Sequence, residues 1–194
     1  MRLRARIRRF LRATRGIAAV EFALVTPLML FLLFGAVELT NALNTVRRVE
    51  NVAASLADVV SRDTMVTQAD LEDLWHAATP LMYPDNASGV QVRITSIFVD
   101  EDGIARVVWS EGHNGMTGRT ENSVISLPPA MRLPERGIIL CEITYPYEPM
   151  LNLVFGNGGL HTMVDPESPN RGGFEIVKAA YRPARLVDPV PMED

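Results

Sequence analysis

The pattern of apolar and polar positions changes three times along the chain. Residues 17–37 (IAAVEFALVTPLMLFLLFGAV) are 21 positions with a single charge, Glu21. At about 1.5 Å per residue they make a helix of roughly 32 Å, enough to cross a hydrocarbon core of about 30 Å. From Leu39 the apolar positions thin to a stripe. Leu39, Ala42, Val46, Val49, Ala53, Leu56 and Val60 recur at 3,4 spacing, with Arg47, Arg48, Glu50, Asn51 and Asp58 between them. That is the signature of an amphipathic helix. Neither Pro nor Gly interrupts residues 36–62, so the two patterns join into one predicted helix ending near Arg62. Pro27 lies inside it and predicts a kink, because its ring removes the bond to the Ala23 carbonyl.

After Arg62 the spacing predicts one short helix. Thr67 and Asp70 form a capping box, Leu71, Leu74, Trp75 and Ala78 give an apolar face, and the helix ends near Pro80. The period then falls to two. Residues 90–99 (VQVRITSIFV) alternate, with Val90, Val92, Ile94, Ser96 and Phe98 on one face. Residues 104–110 (IARVVWS) follow across Asp100-Glu101-Asp102-Gly103, whose Asp-Gly step favours a hairpin turn. Residues 137–147 and 174–181 supply two more strands, separated by long polar or Pro/Gly-rich loops at 111–134 and 148–173 and followed by a tail from Arg182. The expected fold is α+β, with a long N-terminal transmembrane and amphipathic helix packed on a four-stranded antiparallel sheet. Its divisions are a basic leader at 1–16, a membrane span at 17–37, an amphipathic extension at 38–62 and an α+β domain at 63–194.

Charge fixes the expected orientation. Seven of the 19 basic residues (Arg2, Arg4, Arg6, Arg8, Arg9, Arg12 and Arg15) precede Gly16 with no acid among them. The remaining 12 face 23 acidic residues, so the chain from Ile17 onward carries a net charge of −11. A basic flank beside a single apolar span places the N-terminus in the cytoplasm and the body across the membrane, in the periplasm. A cleaved secretory signal has an apolar core of about 7–15 residues and a small-x-small site. This run is longer, and Glu38-Leu39-Thr40-Asn41-Ala42-Leu43 offers no such site. A nucleic-acid partner is not expected, since the folded part shows no basic or aromatic face.

Candidate chemistry is sparse. His76, His113 and His161 stand apart without metal-ligand spacing, so no metal and no cofactor is expected. Gly156-Asn157-Gly158-Gly159 precedes Leu160 and His161 rather than a phosphate-loop Lys and reads as a turn. Asp100, Glu101 and Asp102 read as a solvated hairpin tip rather than a Ca²⁺ site. Cys141 is the single cysteine and reads as a small apolar strand residue. No catalytic arrangement appears, and the chain is read as a non-enzyme.

The stretch Arg15-Gly16-Ile17-Ala18-Ala19-Val20-Glu21-Phe22-Ala23-Leu24 resembles the N-terminal signature of the TadE/TadG-like pseudopilins of the tight-adherence (Flp, type IVb-like) pilus system. The elements are a basic leader, a glycine, four mostly apolar residues, a glutamate, an aromatic residue and an apolar helix. The likeness continues through Pro27, Gly35, Val37-Glu38-Leu39 and Val49-Glu50-Asn51-Val52-Ala53, and Ala179-Ala180-Tyr181-Arg182-Pro183 is similar to the family's last strand. The resemblance implies a pilin-like subunit inserted in the bacterial inner membrane as a single-pass precursor. A prepilin peptidase would cut between Gly16 and Ile17, and Glu21 and Phe22 would serve recognition and assembly. The implied partners are that peptidase, other pilin or pseudopilin subunits, the pilus assembly machinery and inner-membrane lipid. A membrane-anchored periplasmic binding or adhesive domain that keeps its leader is the alternative.

Overall fold

The computed structural model describes residues 16–149 and 173–193. The leader arginines, residues 156–159 and His161 lie outside them. The helices are α1 (Ile17–Val60) and α2 (Gln68–Leu81), and the strands are β1 (Gln91–Val99), β2 (Ala105–His113), β3 (Arg136–Tyr147) and β4 (Phe174–Pro183). Contacts divide the chain into two units that meet within α1, one ending at Asn41 and the other beginning at Ala42.

In the first unit the large apolar side chains of α1 are exposed among the described residues. Val20, Phe22, Leu24, Leu28, Met29 and Phe31 are all exposed. The span has a mean hydropathy of 2.3 and none of it is buried. It is long and apolar enough to cross a bilayer.

In the second unit the same helix becomes one wall of a core. Thr45, Val49, Val52, Ala53, Leu56, Ala57 and Val60 are buried. All but Thr45 belong to one core with Val92 and Ile94 of β1, Ile139, Cys141 and Ile143 of β3, and Ile176 and Ala180 of β4. The sheet is antiparallel throughout, in the order β2-β1-β3-β4. The α+β architecture expected from the sequence is therefore present, and the stripe packs on the core from Ala42 onward, whereas Leu39 is 62% exposed. Opposing apolar faces on one helix half and one sheet leave water together, which is the driving force for the arrangement.

Local signals placed the smaller elements. Thr67 caps α2, its hydroxyl accepting from Asp70 N while the Asp70 carboxylate accepts from Thr67 N at 2.9 Å. The β1–β2 turn closes with Asp100 N donating to Ile104 O, and Gly103 adopts φ +77°, where a side chain would be strained. The Asp100 carboxylate accepts from Asp102 N and Ile104 N, so it serves as a turn-former.

Three features depart from the expected pattern. The register of β1 against β2 jumps between Ser96–Trp109 and Ile97–Val107, so Val108 is an extra residue in β2. This bulge inverts the alternation and turns Trp109 toward the helix side, away from the face of Ala105. Second, the far face of the sheet is also covered. Ile97, Val99, Ala105, Ile138 and Leu140 form a smaller core with Leu127, Ile125 and Met131, drawn from the segment expected to be an irregular loop. That segment extends the sheet, since Asn122 N donates to Val107 O and Ile125 N to Ala105 O. Phe98, expected on the buried face, is only half-buried.

The third departure is the tail, which is a structural strap. Arg185 N donates to Ser61 O, and Arg185 also pairs with Asp58. Asp188 accepts from Gly137 N at 2.8 Å. Val190 is fully buried, and its carbonyl accepts from Trp109 Nε1 at 2.8 Å and from Ser96 Oγ at 2.9 Å. The backbone of Val66 then pairs with the tail at Met192. A buried Trp and a buried Ser each need a partner, and one carbonyl satisfies both.

On the far face Glu142 joins Arg93 Nε at 2.8 Å and Arg119 Nη2 at 2.9 Å. Burial opposes its ionisation, but hydrogen bonds and charge from the two arginines outweigh that and hold its carboxyl below the usual range. A carboxylate with a lowered folded pKa contributes stability that is complete above its unfolded value, about 4.3, and is lost as pH falls through the folded value. Unfolding of the full chain in detergent, followed between about pH 5 and pH 2, should show a shallower loss of stability for Glu142→Gln than for the wild type. An unchanged slope would remove Glu142 from the acid response.

The stripe makes a separate prediction. Leu56→Ala should destabilise the second unit by about 2–5 kcal/mol, as for a large-to-small change in a core. Leu39→Ala should change it by less than about 0.5 kcal/mol. Chemical denaturation of the full chain in micelles measures both.

Candidate functional site

The residues singled out by sequence lie together at the start of α1. Gly16 occupies the turn before the helix, Ile17 is its first residue, and Glu21 and Phe22 follow within the next turn. Ile17 and Glu21 stand four apart, which places them on one face with an axial rise of about 6 Å. Phe22 is 73% exposed, and Glu21 is exposed with no ion pair among the described residues. Thr26 Oγ1 donates to Phe22 O at 2.6 Å, one position before the carbonyl that Pro27 leaves without its helical donor.

Gly16 is informative because the fold does not require it. A Cβ built there meets no atom within 4 Å, and its φ lies outside the left-handed range. Contrast Gly112, where a Cβ would meet the backbone of Met116.

Residues 16–58 match the family model of the TadE-like proteins. The TadE-like segment opens on Gly16, ends two residues short of the end of α1 and includes none of the four strands. It holds all four candidate residues, the apolar span and most of the stripe that covers the sheet. The family resemblance read from the sequence is thereby found from Gly16 to residue 58; the match includes neither Arg15 nor Ala179-Ala180-Tyr181-Arg182-Pro183. No curated protein and no solved structure matches the chain.

The remaining candidates are not brought to that place. Cys141 lies in the middle of β3, wholly buried between sheet and helix. Burial pushes its thiol far above the usual range, with the neighbouring Glu142 charge adding to the effect. His113 lies at the end of β2, stacked on Trp75 of α2 with ring centroids 5.2 Å apart and planes at 13°. His76 is exposed on α2. Among the described residues no group of three or more His, Cys, Asp or Glu is placed to hold a metal. The Trp75–His113 pair escaped the sequence reading because its members are 38 positions apart and no spacing rule connects them.

A buried, neutral thiol cannot act as a nucleophile. Cys141 should therefore resist a water-soluble thiol reagent in the folded chain and react stoichiometrically once denatured. Rapid labelling under native conditions would mean that α1 and the sheet separate readily.

Proposed function

We propose that the chain is a TadE-like pseudopilin, a minor pilin-type subunit that a prepilin peptidase processes and that then takes part in assembling tight-adherence pili. The observation that supports this most is the pairing of a TadE-like match beginning at Gly16 with an apolar span, 17–37, whose large side chains are exposed among the described residues. Such a helix needs an apolar surround, either lipid or the same segment of other subunits.

In this reading the seven leader arginines hold the N-terminus at the cytoplasmic face of the inner membrane and the second unit lies in the periplasm. The peptidase cuts the Gly16–Ile17 bond there, where Gly16 presents no side chain. Cleavage leaves a charged amine on Ile17. Glu21 sits just inside the bilayer, where an isolated charge costs about 2.5–3.5 kcal/mol on insertion scales. A carboxylate at that depth calls for a cation, and the amine of a neighbouring subunit's Ile17 supplies one. Phe22 extends into lipid or against the next helix. The chemistry belongs to the peptidase, and this chain acts through packing and charge pairing rather than as an enzyme.

The deciding measurement is the N-terminus and intact mass of the protein from cells that contain the cognate peptidase. The expected mature chain begins at Ile17. Gly16→Leu should leave the leader in place, while Glu21→Ala should be cut normally yet lower pilus output at least tenfold. Retention of the whole leader in the wild type, with the peptidase present, would favour an anchored periplasmic binding domain. Undiminished pili from Glu21→Ala would leave that carboxylate a snorkelling charge.

A further inference from the structure

The two ends of the second unit differ. Within it β4 and α1 advance together, since Lys178 pairs with Glu50 at 3.9 Å, while Arg185 pairs with Asp58 and donates its N–H to Ser61 O. One end is therefore the end at which α1 enters, at Ala42. The loop after α2 is fixed there. Asp85 accepts from Thr45 Oγ1 at 3.0 Å and from Arg48 Nη1 at 2.6 Å, and the carbonyl of the fully buried Met82 accepts from the same arginine at 3.4 Å. The start of β4 lies there too, because Phe174 precedes Lys178 by four residues, about 13 Å of strand on the Ala42 side. The β1–β2 hairpin marks the opposite end, since β1 runs from Gln91 beside Thr144 to Val99 beside Arg136.

The described aromatic residues of this unit divide between the two ends. Trp75, Phe98, Trp109, Tyr145, Tyr147 and Tyr181 are buried or half-buried. Tyr83 and Phe174 are exposed, at 82% and 47%, and both belong to the entry end. No described large apolar residue is more exposed than Tyr83, and its neighbour Leu81 is exposed as well. Phe174 is backed by the Tyr147 ring, with centroids 5.1 Å apart and planes at 44°. The opposite tip instead carries Asp100, Glu101 and Asp102.

Chain continuity says what covers the exposed rings. α1 is one helix from Ile17 to Val60, and Thr45, which ties down the Tyr83 loop, follows Val37 at the end of the apolar span by eight residues. That is about 12 Å of helix, close to the headgroup layer that extends a bilayer by about 5–7 Å on each side of its hydrocarbon core. A tyrosine is favoured at that depth, with its ring among the headgroups and its hydroxyl in water. Glu148 and Glu175 adjoin Tyr147 and Phe174 in sequence and are exposed, so ring burial carries the contact and attraction to anionic lipid does not.

We propose that the end of the second unit at which α1 enters is a lipid-contact surface, with Leu81, Tyr83 and Phe174 seated in the headgroup layer of the membrane. The contact gives this unit an attachment to the bilayer besides α1 itself. It rests on insertion of α1 in a membrane and is independent of cleavage at Gly16–Ile17 and of pilus assembly.

The test uses the full chain in nanodiscs of zwitterionic phosphatidylcholine. Tyr83→Cys, Phe174→Cys, Leu33→Cys and Glu101→Cys each carry a nitroxide label, and the unsubstituted chain supplies the blank for Cys141. Oxygen concentrates in lipid and a neutral nickel chelate in water, so the ratio of the two accessibilities reports the surroundings. Tyr83→Cys and Phe174→Cys should each give a ratio roughly threefold above that of Glu101→Cys, yet below that of Leu33→Cys in the span. A lipid-like Leu33→Cys with either aromatic site matching Glu101→Cys would overturn the proposal and leave the span intact. Low access of both reagents at Tyr83→Cys and Phe174→Cys would mean cover by protein and would overturn it too. A water-like Leu33→Cys would remove the membrane span and the proposal together.

Discussion

Everything in the second unit depends on the burial of one helical stripe against one sheet face. Val49, Val52, Ala53, Leu56, Ala57 and Val60 close over β1, β3 and β4, and the small Ala53 and Ala57 sit among the larger aliphatic residues. Antiparallel sheets commonly keep one face on a core and leave the other wet, so this cover makes the sheet possible. The same α1 begins as a span that is apolar all round and exposed along its length. One continuous helix thus meets two environments, and its composition changes where its surroundings change.

Polar interactions then fix what hydrophobic burial leaves open. Arg48 pairs with Asp85 at 2.6 Å, and Thr45 donates to the same carboxylate, tying the chain after α2 to the helix. Asp58 takes Arg62 from the turn after α1 and Arg185 from the tail. The Val190 carbonyl joins β1, β2 and the tail at one buried point. These contacts add specificity more than bulk energy, because a partly exposed ion pair contributes little while an unsatisfied buried donor costs about 1–3 kcal/mol.

The candidate processing and assembly residues Gly16, Ile17, Glu21 and Phe22 lie at the exposed start of α1, and the TadE-like match covers that part and most of the stripe. The four strands lie outside the match.

The sequence by itself determined the features that depend on neighbours within a few residues. Periodicity placed α1 and its stripe, Thr67 and Asp70 capped α2, Asp100 and Gly103 turned the first hairpin, and the apolar runs marked four strands. The Gly16 to Phe22 signature was legible for the same reason, since all its elements are contiguous. Only the tertiary structure decided the rest. One extra residue, Val108, reversed the face that Trp109 occupies, and nothing in the local alternation foretells a bulge. A polar-looking segment at 122–131 became the cover of the far face because Leu127 and Met131 lie over an apolar patch assembled from three strands. The tail became a strap because Trp109 and Ser96, about 80 and 94 positions before Val190, needed an acceptor there. Each of these rests on contacts between residues far apart in the chain, and such contacts leave no periodic trace in the order of the amino acids.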